Sequence, residues 1–481
     1  LSYYPQQLLA ILLGLSVSVA FLSLPAKGNG IREGRLPWLD LGLSLLALAA
    51  TLWIVWGYPT LVTQVFARKP EVFLPGLVMV LLLLEALRRA TGWALVIIIA
   101  VFLLYALFGN LVPGRLQGRA QNWQVLSGYM ALDSNGILGV PMAVAGTVVV
   151  SFILFGQLLN TTGGSNFFTD GALLLMGRFR GGAMKIAVLA SGLFGSISGS
   201  AVSNVVSTGM ITIPLMKKAG YRAEVAGATE AVASTGGQLV PPVMGAAAFL
   251  MAVTAEVDYS VVVLASLVPA VLYYLALFLQ IDLMAGRDHI RGVEGEELPR
   301  AGAVMRAGWI FILPFAVLIA GLFSLAWRPE YAALMATLLL VVVLYAFGYQ
   351  GKRPTSGQFL EALRDTADSV VSILFIAGSA GIVIGALNAS GVLFNITEAI
   401  IDMGADNLPL LLVISAALCI FLGMGMPTVG VYALLSTLVA APLVQLHLVD
   451  NNPDIILQDG PTPSGTGIDI QFMNNAGTVQ A

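Results

Sequence analysis

The chain has 481 residues, of which 58% are apolar and only 10% are charged, and its net charge is −3. Soluble domains carry about 25% charged residues, so this composition excludes a water-soluble protein, and without a basic surplus no nucleic acid is expected as a partner. One cysteine and two distant histidines are too few for a disulfide framework, a haem or a zinc cluster, so no cofactor is expected.

Long apolar runs predict a helical membrane protein. A spanning helix needs about 20 apolar residues, and the mean hydropathy of +0.89 leaves room for many such segments. The runs are too long for the strands of an outer-membrane barrel, and they lack the alternation of such strands. We therefore expect an all-α polytopic protein embedded in a lipid bilayer. Its first four spans are predicted at residues 8–24, 38–56, 72–87 and 93–112.

After these four spans, uninterrupted apolar runs alternate with irregular stretches. Further uninterrupted spans are predicted at residues 138–159, 261–283, 310–327 and 331–349. Amphipathic or interrupted stretches occur at residues 167–176, 185–253, 359–368 and 370–392, before a final apolar run at 408–449. The last residues are polar and without a helical period, which is typical of a loop or a disordered tail. We predict four segments, with bounds 1–120, 121–300, 301–450 and 451–481.

Residues 195–221 read GSISGSAVSNVVSTGMITIPLMKKAGY and place a polar point, Ser198 to Ser200, inside an apolar run. Two helices folded back at that point would form a re-entrant hairpin. Irregular backbone at membrane depth is tolerated only where it is buried in protein or lines a watery cavity, so a hairpin tip here implies a site. The alternative is close helix packing through Gly195 and Gly199.

Residues 230–249 read EAVASTGGQLVPPVMGAAAF and predict a broken helix. Pro241 and Pro242 remove two amide donors, so the carbonyls of Gly237 and Gln238 are expected to be free. A sodium ion or an ordered water would satisfy these oxygens. Broken helices with ion and substrate sites are typical of secondary transporters.

Glu230 lies on the same helical face as Ser234, Gly237 and Gln238. An acid inside a span usually marks a path for protons, ions or substrate, so Glu230 is a candidate proton site. The alternative interpretation places it near the start of the helix, paired with Arg222 or Lys218.

The second half repeats these interruptions. Residues 422–432, LGMGMPTVGVY, break an apolar run, and the proline is expected to free the carbonyl of Gly423. Residues 378–391, GSAGIVIGALNASG, form a span softened by glycines and serines. Corresponding interruptions in two halves indicate an inverted-repeat transporter, although close packing would also explain the glycines.

At these motifs the sequence resembles the membrane permease of tripartite ATP-independent periplasmic (TRAP) transporters. It is most similar to the fused TAXI type, in which a four-helix small subunit precedes the large one. The resemblance implies an elevator-type secondary transporter with re-entrant hairpins and broken helices, located in the cytoplasmic (inner) membrane of a bacterium or an archaeon. Such permeases receive an organic anion, often a carboxylate, from a periplasmic binding protein and couple its import to sodium.

The resemblance also implies site residues. A first cation site would be formed by Ser198, Ser200, Gly237, Gln238 and Val240. A second cation site would be formed by Gly381, Gly385, Gly425, Met426 and Thr428. The substrate would meet Ser198, Gly199, Ser200, Asn204, Gln238, Pro427 and Thr428.

One departure from the family pattern bears on function. The family has a second broken helix with a Thr-Pro-Pro turn after GMGMPT, whereas this chain passes from Val449 into the polar tail. The chain is therefore expected to be incomplete or altered there. Besides sodium-coupled import, the open hypotheses are proton coupling through Glu230, a passive channel and a non-transporting chain. A membrane enzyme is disfavoured because the sequence has no paired histidines and no intramembrane acid cluster.

Overall fold

A computed structural model shows a nearly all-helical chain, as the sequence predicts. It describes residues 4–26, 37–255, 257–290, 292, 301–392, 395, 408–423, 428–436, 455–457, 470–473 and 479–480. The helices before the predicted hairpin are α1 (Pro5–Ser23), α2 (Trp38–Leu61), α3 (Pro70–Thr91), α4 (Trp93–Phe108), α5 (Trp123–Leu132), α6 (Val140–Val144), α7 (Val150–Thr161) and α8 (Gly164–Met176). A π-helical turn, Ala145–Val149, joins α6 to α7.

The remaining helices include those that contain the interrupted motifs at residues 195–221 and 230–249. They are α9 (Gly182–Ser198), α10 (Ala201–Lys218), α11 (Ala223–Gly237), α12 (Ala246–Thr254), α13 (Tyr259–Arg287), α14 (Ala301–Phe323), α15 (Pro329–Phe347), α16 (Ser356–Ser390), α17 (Leu408–Gly423) and α18 (Thr428–Leu435). Within the described residues, nine helical segments are long and apolar enough to cross a membrane. The prediction of a polytopic all-α membrane protein is confirmed.

Two local predictions were wrong. Residues 359–368 and 370–392 do not form an amphipathic stretch followed by a broken span, because α16 is one continuous helix of 35 residues. A glycine inside a helix costs about 1 kcal/mol, which close packing can offset. In the polar tail, β1 (Ile455–Leu457), β2 (Ile470–Met473) and β3 (Val479–Gln480) pair antiparallel in the order β1-β2-β3 instead of remaining loop.

The chain divides into two compact units. The first unit comprises residues 1–55 and 138–378, and the second comprises residues 56–137 and 379–481. These bounds differ from the four segments expected from the sequence, which stay a prediction.

The core of the first unit is built from small side chains on α9, α10, α11 and α13. Ala187, Met216, Ala226 and Ala233 are fully buried there, and Ile281 of α13 is 1% exposed. Small residues let helices approach closely inside a membrane, where packing replaces the hydrophobic effect. The small residues of this region therefore allow these helices to pack closely.

In the second unit, glycines bring helices against main-chain oxygens. A Cβ at Gly76 of α3 would lie 2.3 Å from the carbonyl oxygen of Ser127 in α5. A Cβ at Gly381 of α16 would lie 2.2 Å from the carbonyl oxygen of Gly136. Only glycine fits at such distances, so the glycines of α16 serve close packing in a continuous helix.

Candidate functional site

The predicted hairpin is present, with its tip at Gly199. This residue has φ +61, a left-handed backbone that favours glycine. Its amide donates to the carbonyl of Gly195 at 3.1 Å and so closes α9. The hydroxyl of Ser200 accepts from the amide of Ser203 at 3.3 Å and caps α10. The local sequence SGS therefore ends one helix and starts the next within two residues.

The two arms of the hairpin lie side by side in opposite directions. The hydroxyls of Ser191 and Thr208 are 2.9 Å apart. The side-chain amide of Asn204 donates to the carbonyl of Ser191 at 2.7 Å. Because these partners lie at similar sequence distances on either side of the tip, the arms run antiparallel.

The predicted break in the next helix is also present, between the end of α11 at Gly237 and the start of α12 at Ala246. The Pro241–Pro242 peptide bond within it is cis. The expectation that Gly237 and Gln238 have free carbonyls was wrong. The amide of Val240 donates to Gly237 at 3.2 Å, and that of Gly245 donates to Gln238 at 2.8 Å. The turn itself supplies the donors that the prolines remove.

The hairpin tip lies against this break. The amide of Val243 donates to the carbonyl of Ser196 at 3.1 Å. A Cβ on Gly199 would lie 2.6 Å from the carbonyl oxygen of Met244, so only glycine allows this approach. Tyr259 at the start of α13 holds the break, since its hydroxyl donates to the carbonyls of Val243 at 2.5 Å and of Pro242 at 3.1 Å.

A buried hydroxyl at the tip has no hydrogen-bond partner among the described residues. The Oγ atom of Ser198 is shielded from solvent and forms no hydrogen bond within the described part of the chain. Buried polar atoms are nearly always hydrogen-bonded, so an exception needs an explanation. A ligand bound at the junction of tip and break would provide one.

The structure thus brings most of the first predicted set together. Ser198, Gly199 and Ser200 form the tip, while Gly237, Gln238 and Val240 begin the break that the tip contacts. Asn204 is 0% exposed, and its side chain lies between helices. The contact of Tyr259 with the break could not be predicted from the sequence, because nothing near that residue indicates that its hydroxyl reaches a carbonyl 16 residues earlier.

Glu230 is a fully buried carboxylate surrounded by hydroxyls. Its Oε1 accepts from Ser191 at 2.6 Å, from Thr208 at 2.5 Å and from Ser234 at 3.3 Å. Its Oε2 accepts from Thr212 at 2.5 Å. Arg222, one of its two expected partners, pairs instead with Glu224 at 3.4 Å on the exposed first turn of α11. Helical spacing predicted Ser234 on the same face, but not the hydroxyls that α9 and α10 contribute.

The second predicted set lies partly outside the described residues. Gly425, Met426 and Pro427 fall there. Gly381 and Gly385 lie within α16, where a Cβ on Gly385 would be 3.1 Å from the carbonyl oxygen of Asn135. Thr428 is exposed at the start of α18.

Tyr221 lies between α10 and α11. Like the hydroxyl of Ser198, its hydroxyl is buried and has no hydrogen-bond partner in the described part of the chain. Burial, and secondarily the charge of Asp288, raises the pKa of Tyr221 to about 12. The side chain packs in the core of the first unit together with Ala183 and Met216.

Comparison with known proteins identifies relatives of this chain. The family model described as "Tripartite ATP-independent periplasmic transporter, DctM component" matches residues 78–452. The sialic acid TRAP transporter permease protein SiaT of Haemophilus influenzae is 25% identical over 348 residues, which cover 69% of this chain and 52% of that protein.

Two further relatives have different named substrates. The C4-dicarboxylate TRAP transporter large permease protein DctM of Pseudomonas aeruginosa is 26% identical over 269 residues, 56% of this chain and 62% of that protein. The isethionate TRAP transporter permease protein DctMQ of Oleidesulfovibrio alaskensis is 25% identical over 298 residues, 61% of this chain and 44% of that protein. The chain spans about half the length of several curated relatives that it matches.

Proposed function

Because the chain belongs to the DctM component family of tripartite ATP-independent periplasmic transporters, we propose that it imports an organic anion across the inner membrane and couples this import to a sodium gradient. Its relatives are transporter permeases and not enzymes. One observation carries the proposal: the hairpin tip lies against a broken helix, and a buried hydroxyl at the tip, that of Ser198, has no partner in the described residues.

Sodium suits this junction because the oxygen atoms that could coordinate a cation there are uncharged. The proposed ligands are the hydroxyls of Ser198 and Ser200 and the carbonyls of Gly237, Gln238 and Val240. A carbonyl oxygen that accepts one hydrogen bond keeps a second lone pair for a cation. The described residues contain no group of three or more acidic, histidine or cysteine side chains that could hold a metal ion. Unwound backbone and helix ends coordinate sodium in other secondary transporters.

Two helix starts at the same junction favour an anionic substrate. Helix α10 begins just after the tip and α12 just after the break, and a Cβ on Gly245 would lie 3.5 Å from the carbonyl oxygen of Gly199. The amino ends of helices carry a partial positive charge. We propose that the carboxylate or another acidic group of the substrate lies near these ends, in contact with Ser198, Gly199, Ser200 and Gln238.

The proposed substrate class and partner also rest on the relatives. The relatives named above are a sialic acid, a C4-dicarboxylate and an isethionate transporter protein. A periplasmic binding protein is the proposed donor of the substrate to this chain.

Uptake into membrane vesicles tests the proposal. Vesicles from cells that express the full transporter with its binding protein would receive labelled succinate, sialic acid or isethionate under a sodium gradient alone or a proton gradient alone. We expect accumulation with sodium. Accumulation driven by protons alone would favour the Glu230 alternative, and non-saturating flux without accumulation would indicate a channel. If neither gradient drives accumulation of any probe, coupled import is contradicted.

A further inference from the structure

A five-residue polar cluster joins three helices of the first unit. Its members are Ser191 on α9, Thr208 and Thr212 on α10, and Glu230 and Ser234 on α11, and each is 0% exposed. We call these five residues the hydroxyl–carboxylate cluster. The proposed sodium ligands do not include any of them, so the cluster needs another role.

Near the proposed site, Gly195 of α9 lies against Gly237 of α11, with the side chain of Asn204 from α10 beside them. A Cβ on Gly195 would lie 2.6 Å from the Cα of Gly237, and a Cβ on Gly237 would lie 2.7 Å from the Cα of Gly195. Such a contact brings two backbones close together. By itself it does not fix how far one helix is shifted along the other, because the two glycines have no side chains that could interlock.

The hydroxyl–carboxylate cluster supplies the directional contacts that this crossing lacks. One carboxylate oxygen of Glu230 accepts from Ser191 on α9 at 2.6 Å, and each of the two oxygens accepts from a threonine on α10 at 2.5 Å. Sliding α11 by one helical turn, about 5.4 Å, would carry the side chain of Glu230 beyond hydrogen-bonding range of these hydroxyls. Glu230 lies seven residues, or about 10 Å of helix, before Gly237.

We propose that Glu230 is a positioning residue: through the hydroxyl–carboxylate cluster it sets the register of α11 against the hairpin, and thereby holds Gly237 and Gln238 opposite the tip for sodium binding. This role rests on the proposed function. It needs an acceptor for Ser191 and Thr208 and a polar atom facing Thr212, but no negative charge. A glutamine at this position provides both, because its amide nitrogen can donate to Thr212, whose hydroxyl can then donate to the carbonyl of Thr208, 3.0 Å away.

The test is sodium-dependent thermal stabilisation of the purified full-length chain, with NaCl as the probe and KCl as the ionic-strength control. A ligand that binds only the folded state raises the unfolding temperature. We expect Glu230→Gln to keep the wild-type sodium dependence. We expect Glu230→Ala, and more weakly Thr212→Val, to raise the NaCl concentration for half-maximal stabilisation, by about tenfold for the alanine variant.

Thr229→Val is the matched control, because within the part of the chain that the structure describes the hydroxyl of this buried threonine bonds only to the carbonyl of Val225 in its own helix. Its sodium dependence should equal that of the wild type. The positioning role is overturned if Glu230→Ala and Thr212→Val respond to sodium as the wild type does. It is also overturned if Glu230→Gln loses as much as Glu230→Ala, since charge would then be what matters. Should Glu230→Ala fail to fold, Thr212→Val and Glu230→Gln decide. A wild-type chain without a sodium-specific shift instead contradicts the proposed sodium site.

Discussion

Two buried oxygens without partners in the described residues, those of Ser198 and Tyr221, have different surroundings. Ser198 lies at the junction of a hairpin tip and a broken helix, where a bound cation would accept its lone pair. Tyr221 packs among apolar side chains of the first unit core. We therefore expect its hydroxyl to lower the stability of the folded chain, since a buried polar group without a hydrogen bond destabilises the fold.

Tyr221→Phe removes this oxygen, and we expect the unfolding temperature at pH 7 to stay the same or rise. The same change should alter the response to alkali. The raised pKa, about 12 against 10.0 for the ordinary phenol, means that between these values the folded chain keeps a proton that the unfolded chain loses. The effect of this group on the free energy of unfolding is therefore constant below about pH 10, and the folded chain loses stability as the pH rises towards 12.

Thermal unfolding at several pH values checks this prediction. The wild type should lose more stability than Tyr221→Phe between pH 10 and pH 12. Equal alkaline loss in both proteins, or a lower unfolding temperature of the variant at pH 7, would show that the hydroxyl is satisfied in the folded chain.

The crossing of α9 and α11 leaves little room for a larger side chain. Gly237→Ala would place a Cβ 2.7 Å from the Cα of Gly195 and 3.1 Å from the carbonyl oxygen of Ser191, and neither backbone atom can move cheaply. We expect a loss of roughly 1–3 kcal/mol, the usual cost of overpacking, together with weaker sodium stabilisation.

Gly227→Ala is the matched control in the same helix, because a Cβ there meets nothing within 4 Å. Alanine in a helix interior is favoured over glycine by about 1 kcal/mol, so this variant should be as stable as the wild type or more so. Thermal or denaturant unfolding of both variants makes the comparison. A stable Gly237→Ala with normal sodium response would mean that the two helices need not touch.

The same elements show what could be predicted from the sequence. The interruption at Ser198 to Ser200 predicted the hairpin, and Pro241 and Pro242 predicted the break, because both rest on local backbone rules. The same rules failed for the carbonyls of Gly237 and Gln238. The rules consider only the amide donors that proline removes, whereas the turn supplies new amide donors from Val240 and Gly245.

Contacts between distant residues were also beyond prediction. The hydroxyls around Glu230 come from α9 and α10, 18 to 39 residues away in sequence. Glycines in α16 predicted an interruption, whereas they allow close approach to loop carbonyls. Spacing along one chain does not show which helix will lie opposite.

At the scale of the whole molecule, composition alone determined the class. The apolar fraction predicted a multi-pass protein, and helices such as α13 expose leucines and valines along most of their length, as lipid-facing helices do. The organisation into two compact units could not be derived in this way, because each unit combines segments that are far apart in sequence.

Binding of radioactive sodium to the purified full chain tests the proposed sodium site, with Ser198→Ala as the variant and Ser203→Ala, on the first turn of α10, as the control. We expect saturable binding that excess unlabelled sodium displaces and potassium does not. Ser198→Ala should bind sodium about tenfold more weakly, while Ser203→Ala should bind as the wild type does. A wild-type chain without saturable sodium binding, or a Ser198→Ala variant with unchanged affinity, would contradict a sodium site at the hairpin tip.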